Sequence, residues 1–115
     1  MEKTVLIADE DPGVRRLLAL LLDDGAFEVV AQATDGVEAV SLATRHRPAV
    51  VILDRDISRI DGGAAARLLR DLAPDTVVVA CSEASGGKPD WADDLLPREA
   101  LVDVADVLER ALTSH

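Results

Sequence analysis

Apolar residues along this chain follow two different spacings. TVLIA (Thr4–Ala8), AVVIL (Ala49–Leu53) and TVVVAC (Thr76–Cys81) are short runs that are apolar almost throughout, and EVVAQA (Glu28–Ala33) is a half-polar version. Their length and β-branched content predict strands, and the continuous runs predict strands covered on both faces. Between them, apolar residues return at three- and four-residue intervals, the mark of an amphipathic helix. Val14, Leu17, Leu18, Leu21 and Leu22 form the first such stripe, and Ala65, Leu68, Leu69 and Leu72 a later one. Leu101, Val104, Ala105, Leu108 and Leu112 form the last.

Polar residues at the joints predict where these helices begin and end. Asp11 followed by Pro12 is an N-cap oxygen followed by a proline at the first helical position. Gly25 closes that segment. Asp35 with Glu38 makes a capping-box-like start for a helix running to about His46, where Pro48 stops it. Asp61-Gly62 is turn chemistry leading into a third helix that ends near Pro74, and Arg110 suits the C-terminal end of the last helix. Strand and helix therefore alternate, which predicts a parallel sheet between helical layers, joined by right-handed crossovers. The stretch Ser82–Asp94 (SEASGGKPDWADD) breaks the pattern, because Gly86-Gly87 and Pro89 leave little room for a full helix.

Composition narrows the class. A chain of 115 residues, 49% apolar, fits one domain with a real core, and that core is aliphatic because Phe27 and Trp91 are the only aromatic residues. No apolar run approaches the ~20 residues of a membrane span, and Met1-Glu-Lys-Thr lacks a secretory pattern. A lone Cys81 forms no internal disulfide, so a reducing cytoplasm is the expected compartment. It ends an apolar strand and reads as an inert core thiol. The net charge of −10 argues against direct binding of nucleic acid or anionic lipid and suits a cation or a basic partner. Most of the acidic residues serve solubility.

The acids that end strands are different. In an open parallel α/β sheet, ligands bind outside the carboxyl ends of the strands. The first strand delivers Asp9, Glu10 and Asp11 there, the third Asp54 and the fourth Ser82. If these strands are neighbours, the carboxylates meet in one cleft and repel one another unless a hard cation such as Mg²⁺ offsets them. Phosphoryl transfer to a carboxylate suits such a cluster, with Ser82 as a hydrogen-bond donor to the phosphoryl group.

VLIADEDPGVRRLLALL, ATDGVEAV, VVILDRDISRIDGG and VVVACSEA, in this order and spacing, resemble the receiver domain of bacterial two-component response regulators. The resemblance covers nearly the whole chain. It implies a doubly wound, five-stranded parallel sheet of flavodoxin-like type, a three-layer α/β/α domain over residues 1–115, alone or as the N-terminal part of a longer regulator. The fourth helix would be shortened or missing. By the same resemblance Asp54 is the phosphoacceptor, and Asp9 and Glu10 are the acidic pair that holds Mg²⁺ directly or through water. Asp56 is a metal ligand through its backbone carbonyl, and Ser82 is the switch hydroxyl, although Ser82 also reads as an ordinary cap. The implied partners are a cognate histidine kinase and an output domain or partner protein, with homodimer formation left open. No enzyme is implied beyond self-phosphorylation and self-dephosphorylation.

Several positions depart from the family. Its conserved lysine is replaced by Arg98 in ADDLLPREAL, or else is deleted, leaving Arg98 as an ordinary first-turn helix residue. Arginine is a wider planar fork, so the change is not conservative. Glu99 stands where the family has proline, Leu95 where it has a switching aromatic, and Ser58 where it commonly has proline. Lys88 reads as a loop charge, Asp11 as a cap and Asp61 as a turn residue. Arg15-Arg16 face either a kinase or solvent. Neither His46 nor His115 suits a phosphodonor or ligand. These departures support an alternative: a degenerate receiver that binds partners without phosphorylation. A third reading takes LDRD as the D-x-D motif of haloacid-dehalogenase-type phosphatases, which place it on their first strand and need a longer chain.

Overall fold

A computed structural model of the protein describes residues 3–23 and 25–114; Met1, Glu2 and His115, weighed above, lie outside them. Strands β1 (Thr4–Ala8), β2 (Glu28–Ala33), β3 (Val50–Asp54), β4 (Val77–Ser82) and β5 (Asp94–Pro97) alternate with helices α1 (Pro12–Leu21), α2 (Gly36–His46) and α3 (Gly62–Leu72). Helix α4 (Val104–Thr113) ends the chain's secondary structure. All neighbouring strands are parallel, in the order β2-β1-β3-β4-β5. The expected doubly wound fold is therefore present.

Period-two alternation sorts the strand residues between two cores. Val5, Ile7, Val50, Ile52, Val77, Val79 and Leu96 pack with Leu18 of α1 and Val104 and Leu108 of α4. Leu6, Ala8, Val51, Leu53 and Val78 pack on the opposite face with Ala39 and Ala43 of α2 and Ala65, Ala66 and Leu69 of α3. Every residue of β3 is buried, the apolar Val50–Leu53 run as a central strand requires and Asp54 at its end with it.

The caps also form as the sequence indicates. The carboxylates of Asp11, Asp35 and Asp61 accept from the backbone N–H groups of Gly13, Glu38 and Ala64. Glu38 accepts from the Thr34 N–H at 2.7 Å, one residue before the cap, a variant of the expected box. The expected shortening is present, and one other element differs. A single 3₁₀ turn, Ala84–Gly86, stands where a fourth helix would lie between β4 and β5. The stripe beginning at Leu101 is divided: Arg98–Asp103 is 3₁₀, kinked at Ala100, and the α-helix starts only at Val104.

Helix α4 is tied to the edge strand by Arg110, whose Nε and Nη2 each donate to Asp94 at 2.8 Å. That bond holds the Asp94 carboxyl below its ordinary value. A carboxylate held low adds stability above its unfolded value and loses it as pH falls through the folded one. Arg110→Ala is expected to lower stability by about 0.5 kcal/mol near neutral pH, a small cost because the pair is largely exposed. In denaturation melts the difference from wild type should shrink as pH falls below the ordinary carboxylate value and close in stronger acid.

Candidate functional site

After β1 the chain turns to β2 at one edge, then returns to β3 on the other side of β1. The carboxyl ends of β1 and β3 flank this switch in direction, where a parallel sheet leaves a crevice. Asp9 and Asp54 occupy it, with relative exposures of only 2% and 3%. Their burial follows from position: each is the first polar residue after a buried apolar run, Val5–Ala8 or Val50–Leu53.

Arg98, at the end of β5, reaches across to both. Its Nη2 lies 2.8 Å from Asp54 Oδ1 and 3.3 Å from Asp9 Oδ2. It is the first residue of the 3₁₀ segment, and its side chain reaches into the acidic cleft. Burial disfavours its charge, but the hydrogen bond and charge of Asp54 outweigh that and raise its pKa above the ordinary value. Asp9 is raised, chiefly by burial and also by the Asp54 charge; the Asp11 N–H bond and Arg98 act in the opposite direction.

Backbone groups fix the two carboxylates. Asp11 N–H donates to Asp9 Oδ1 at 2.9 Å, and Asp56 N–H donates to Asp54 Oδ1 at 3.1 Å. Asp54 Oδ1 thus carries both of its bonds, and among the described residues none falls on Oδ2. That oxygen touches solvent, because no fully buried side-chain oxygen lacks a partner.

The other sequence-derived residues are placed as follows. Ser82 is buried at the end of β4, one position beyond the Asp54–Cys81 register pair. Cys81 lies in the core, and burial pushes its thiol up to about 12, well outside the reactive range. Glu10 and Asp56 are exposed. No three His, Cys, Asp or Glu side chains converge on a metal position among the described residues. Asp9 and Asp54 are brought together, and Glu10 is not assembled with them. Asp11 and Asp61 are caps.

Two contributors were not legible in advance. Arg15 Nη1 donates to the Asp9 carbonyl at 2.7 Å, so it braces the acidic loop rather than facing only solvent or a partner. Glu99 Oε1 accepts from the Ala84 N–H at 3.1 Å, tying the segment after Ser82 to the one that carries Arg98. The helical position of Arg15, one turn after its cap, was a signal for the first contact. Nothing local signals the second.

Residues 5–95 match the family model of the response regulator receiver domain. The chain belongs to this family. The match contains Asp9, Glu10, Asp54, Asp56 and Ser82 and ends before Arg98. Protein-glutamate methylesterase/protein-glutamine glutaminase 4 of Myxococcus xanthus is 45% identical over 76 residues, which are 65% of this chain and 22% of that protein. Transcriptional regulatory protein PdtaR of Mycobacterium tuberculosis is 40% identical over 83 residues, 70% of this chain and 40% of that protein. The receiver therefore spans between about a fifth and two-fifths of the length of these relatives. Among solved structures, the response regulator domain of Thermotoga maritima CheB superposes with a TM-score of 0.87 at 23% identity, covering 98% of each chain, a likeness of fold alone. The receiver domain of AraT from Geobacillus stearothermophilus gives 0.85 at 26% identity, covering 99% of this chain and 95% of that one. The chain is thus a receiver domain of two-component response regulators. Among the described residues no helix is long and apolar enough to cross a membrane.

Proposed function

We propose that this receiver accepts a phosphoryl group on Asp54 from a histidine kinase. The observation that carries the reading is Asp54 Oδ2, the unbonded, solvent-touching oxygen of a buried carboxylate at the switch point. Oδ2 attacks phosphorus, an O–P bond forms and the P–N bond to the kinase imidazole breaks. The leaving nitrogen keeps the electron pair and takes a proton from water.

The residues present fit Mg²⁺. Two buried carboxylates lie close enough to share one guanidinium, and both offer hard oxygen donors. Asp9 and Asp54 would hold the ion, with Glu10 acting through water and Asp56 through its backbone carbonyl. The bound ion would offset charge on the phosphoryl oxygens. Arg98 would pair with the same oxygens, and the Ser82 hydroxyl, which holds no side-chain hydrogen bond among the described residues, would donate to them. The added charge then biases the domain between two conformations that present different surfaces to an output domain or partner protein. With its excess of acid, this segment does not contact nucleic acid or membrane directly.

Acetyl phosphate with Mg²⁺ should produce a singly phosphorylated protein by intact-mass spectrometry, and Asp54→Ala should abolish the adduct. An adduct that persists in Asp54→Ala, or its absence from wild type at saturating Mg²⁺, overturns the assignment. Full signalling by Asp54→Ala in the host would instead favour a phosphorylation-independent binding module.

A further inference from the structure

We propose that Trp91 couples the acceptor loop to the surface of this receiver, in the role for which β5 offers only Leu95; the inference rests on Asp54 being the phosphoacceptor. The chain has two aromatic residues. Phe27 packs in the core beneath α1 and α4, on the face away from α2 and α3. Trp91 packs against the opposite core, the one that holds Leu53 and Ile57 on either side of Asp54.

Its ring lies on the start of α3. A Cβ built on Gly62 would stand 3.0 Å from Trp91 Cη2 and 2.9 Å from the Asp54 carbonyl oxygen. A Cβ on Gly63 would stand 3.1 Å from Trp91 Nε1. Both glycines are therefore needed for the ring to approach this closely, and Gly62 lies close both to the ring and to the Asp54–Arg55 backbone. That turn is closed by Gly62 N–H donating to the Arg55 carbonyl at 3.0 Å. A displacement of the Asp54–Arg55 backbone therefore reaches the indole through Gly62.

The anchoring of Trp91 makes the ring the movable part. Its own carbonyl accepts from Arg70 Nη2 at 3.1 Å, and Lys88 Nζ donates to the Ala92 carbonyl at 2.8 Å. Asp93 is locked to Val78 of β4 through its N–H and its carboxylate, both at 2.8 Å. The backbone is held to α3 and β4 while the ring has space beside it. A cavity of about 300 Å³ bounded by Arg55, Asp56, Asp61, Gly63, Arg67 and the ring opens on one side. A smaller one, about 50 Å³, lies between the ring, Leu69, Arg70 and Val78. The shortened segment between β4 and β5 contains no full helix to hold the indole in place. Phosphorylation of Asp54 thus repositions Trp91 within this gap and changes the surface formed by residues 83–93 and the start of α3.

The test uses the full chain, in which Trp91 is the single tryptophan. Wild type is treated with beryllofluoride and Mg²⁺, while a parallel acetyl phosphate sample is checked for the adduct by mass. Trp91 emission should shift and its iodide quenching should change on activation. Amide NMR shifts in residues 83–93 should move in wild type. In Trp91→Leu they should stay still, while those beside Asp54 still move. Gly63→Ala, which crowds the ring by a methyl group, should move the resting emission toward the activated value and serves if Trp91→Leu folds poorly. An adduct-bearing wild type with unchanged emission and unmoved 83–93 amides overturns the coupling and leaves the acceptor assignment standing. So does a Trp91→Leu protein whose 83–93 amides respond as wild type does. Absence of the adduct removes the acceptor assignment, and the coupling falls with it.

Discussion

Gly36→Ala is expected to destabilise the protein by about 3 kcal/mol, at the upper end of overpacking costs. A Cβ at this position would lie 2.3 Å from the Ile60 carbonyl oxygen and 2.7 Å from Ile60 Cγ1. The nearest obstacle is backbone, so no rotamer change relieves it. Gly36 N–H also donates to the Ser58 carbonyl at 2.9 Å, which binds the start of α2 to the loop between β3 and α3. Relief therefore requires α2 and this loop to separate. Urea denaturation should show the lost stability, and phosphorylation of Asp54 should slow as its loop shifts. Gly13→Ala is the control: its Cβ would meet only the Asp11 side chain, at 3.2 Å on an exposed turn. It should alter stability by no more than about 0.5 kcal/mol.

Arg98→Met is expected to cost about 2 kcal/mol near neutral pH. Breaking a fully buried pair costs about 3–5 kcal/mol, and the Arg98 side chain, 34% exposed, warrants a lower figure. Without the guanidinium, Asp9 and Asp54 remain buried and facing each other. Asp9 already stands above its ordinary value of 3.8, through burial first and the Asp54 charge as well, and losing Arg98 lifts it further. A carboxyl raised on folding destabilises the native state above its folded value, and that cost disappears as pH falls below the unfolded value. The gap between wild type and Arg98→Met should thus be widest near neutrality and close in acid. Adding Asp9→Asn should recover much of the loss, because asparagine can still accept from the Asp11 N–H without the charge. A gap independent of pH would mean that Arg98 contributes only packing.

Both predictions concern contacts between segments far apart in the chain, and that distance separates what was legible from what was not. Strand identity was legible because an all-apolar run such as Val50–Leu53 has few alternatives in a short domain. Helix starts were legible because Asp11, Asp35 and Asp61 cap within three residues of themselves. The missing fourth helix followed from Gly86, Gly87 and Pro89. The division of the last helix did not, since the Leu101 stripe runs unbroken from the 3₁₀ segment into the α-helix that starts at Val104.

The site divides in the same way. Asp9 and Asp54 stood out because each ends an apolar strand, yet their meeting depended on β1 and β3 being neighbours, which sheet order decides. Arg98 was ambiguous in sequence because its role lies in a side chain spanning two strand ends. Trp91 resembled an ordinary loop residue, and only packing brings it onto Gly62 and Gly63. The sequence by itself determined which segments are strands and helices, which residues cap and which carboxylates end strands, because those signals act within a few residues. Tertiary structure alone decided that one guanidinium serves two carboxylates, that Glu10 remains outside their cluster and that the indole lies over Gly62 and Gly63 at the start of α3. Those contacts depend on strand order and side-chain reach, which no local pattern encodes.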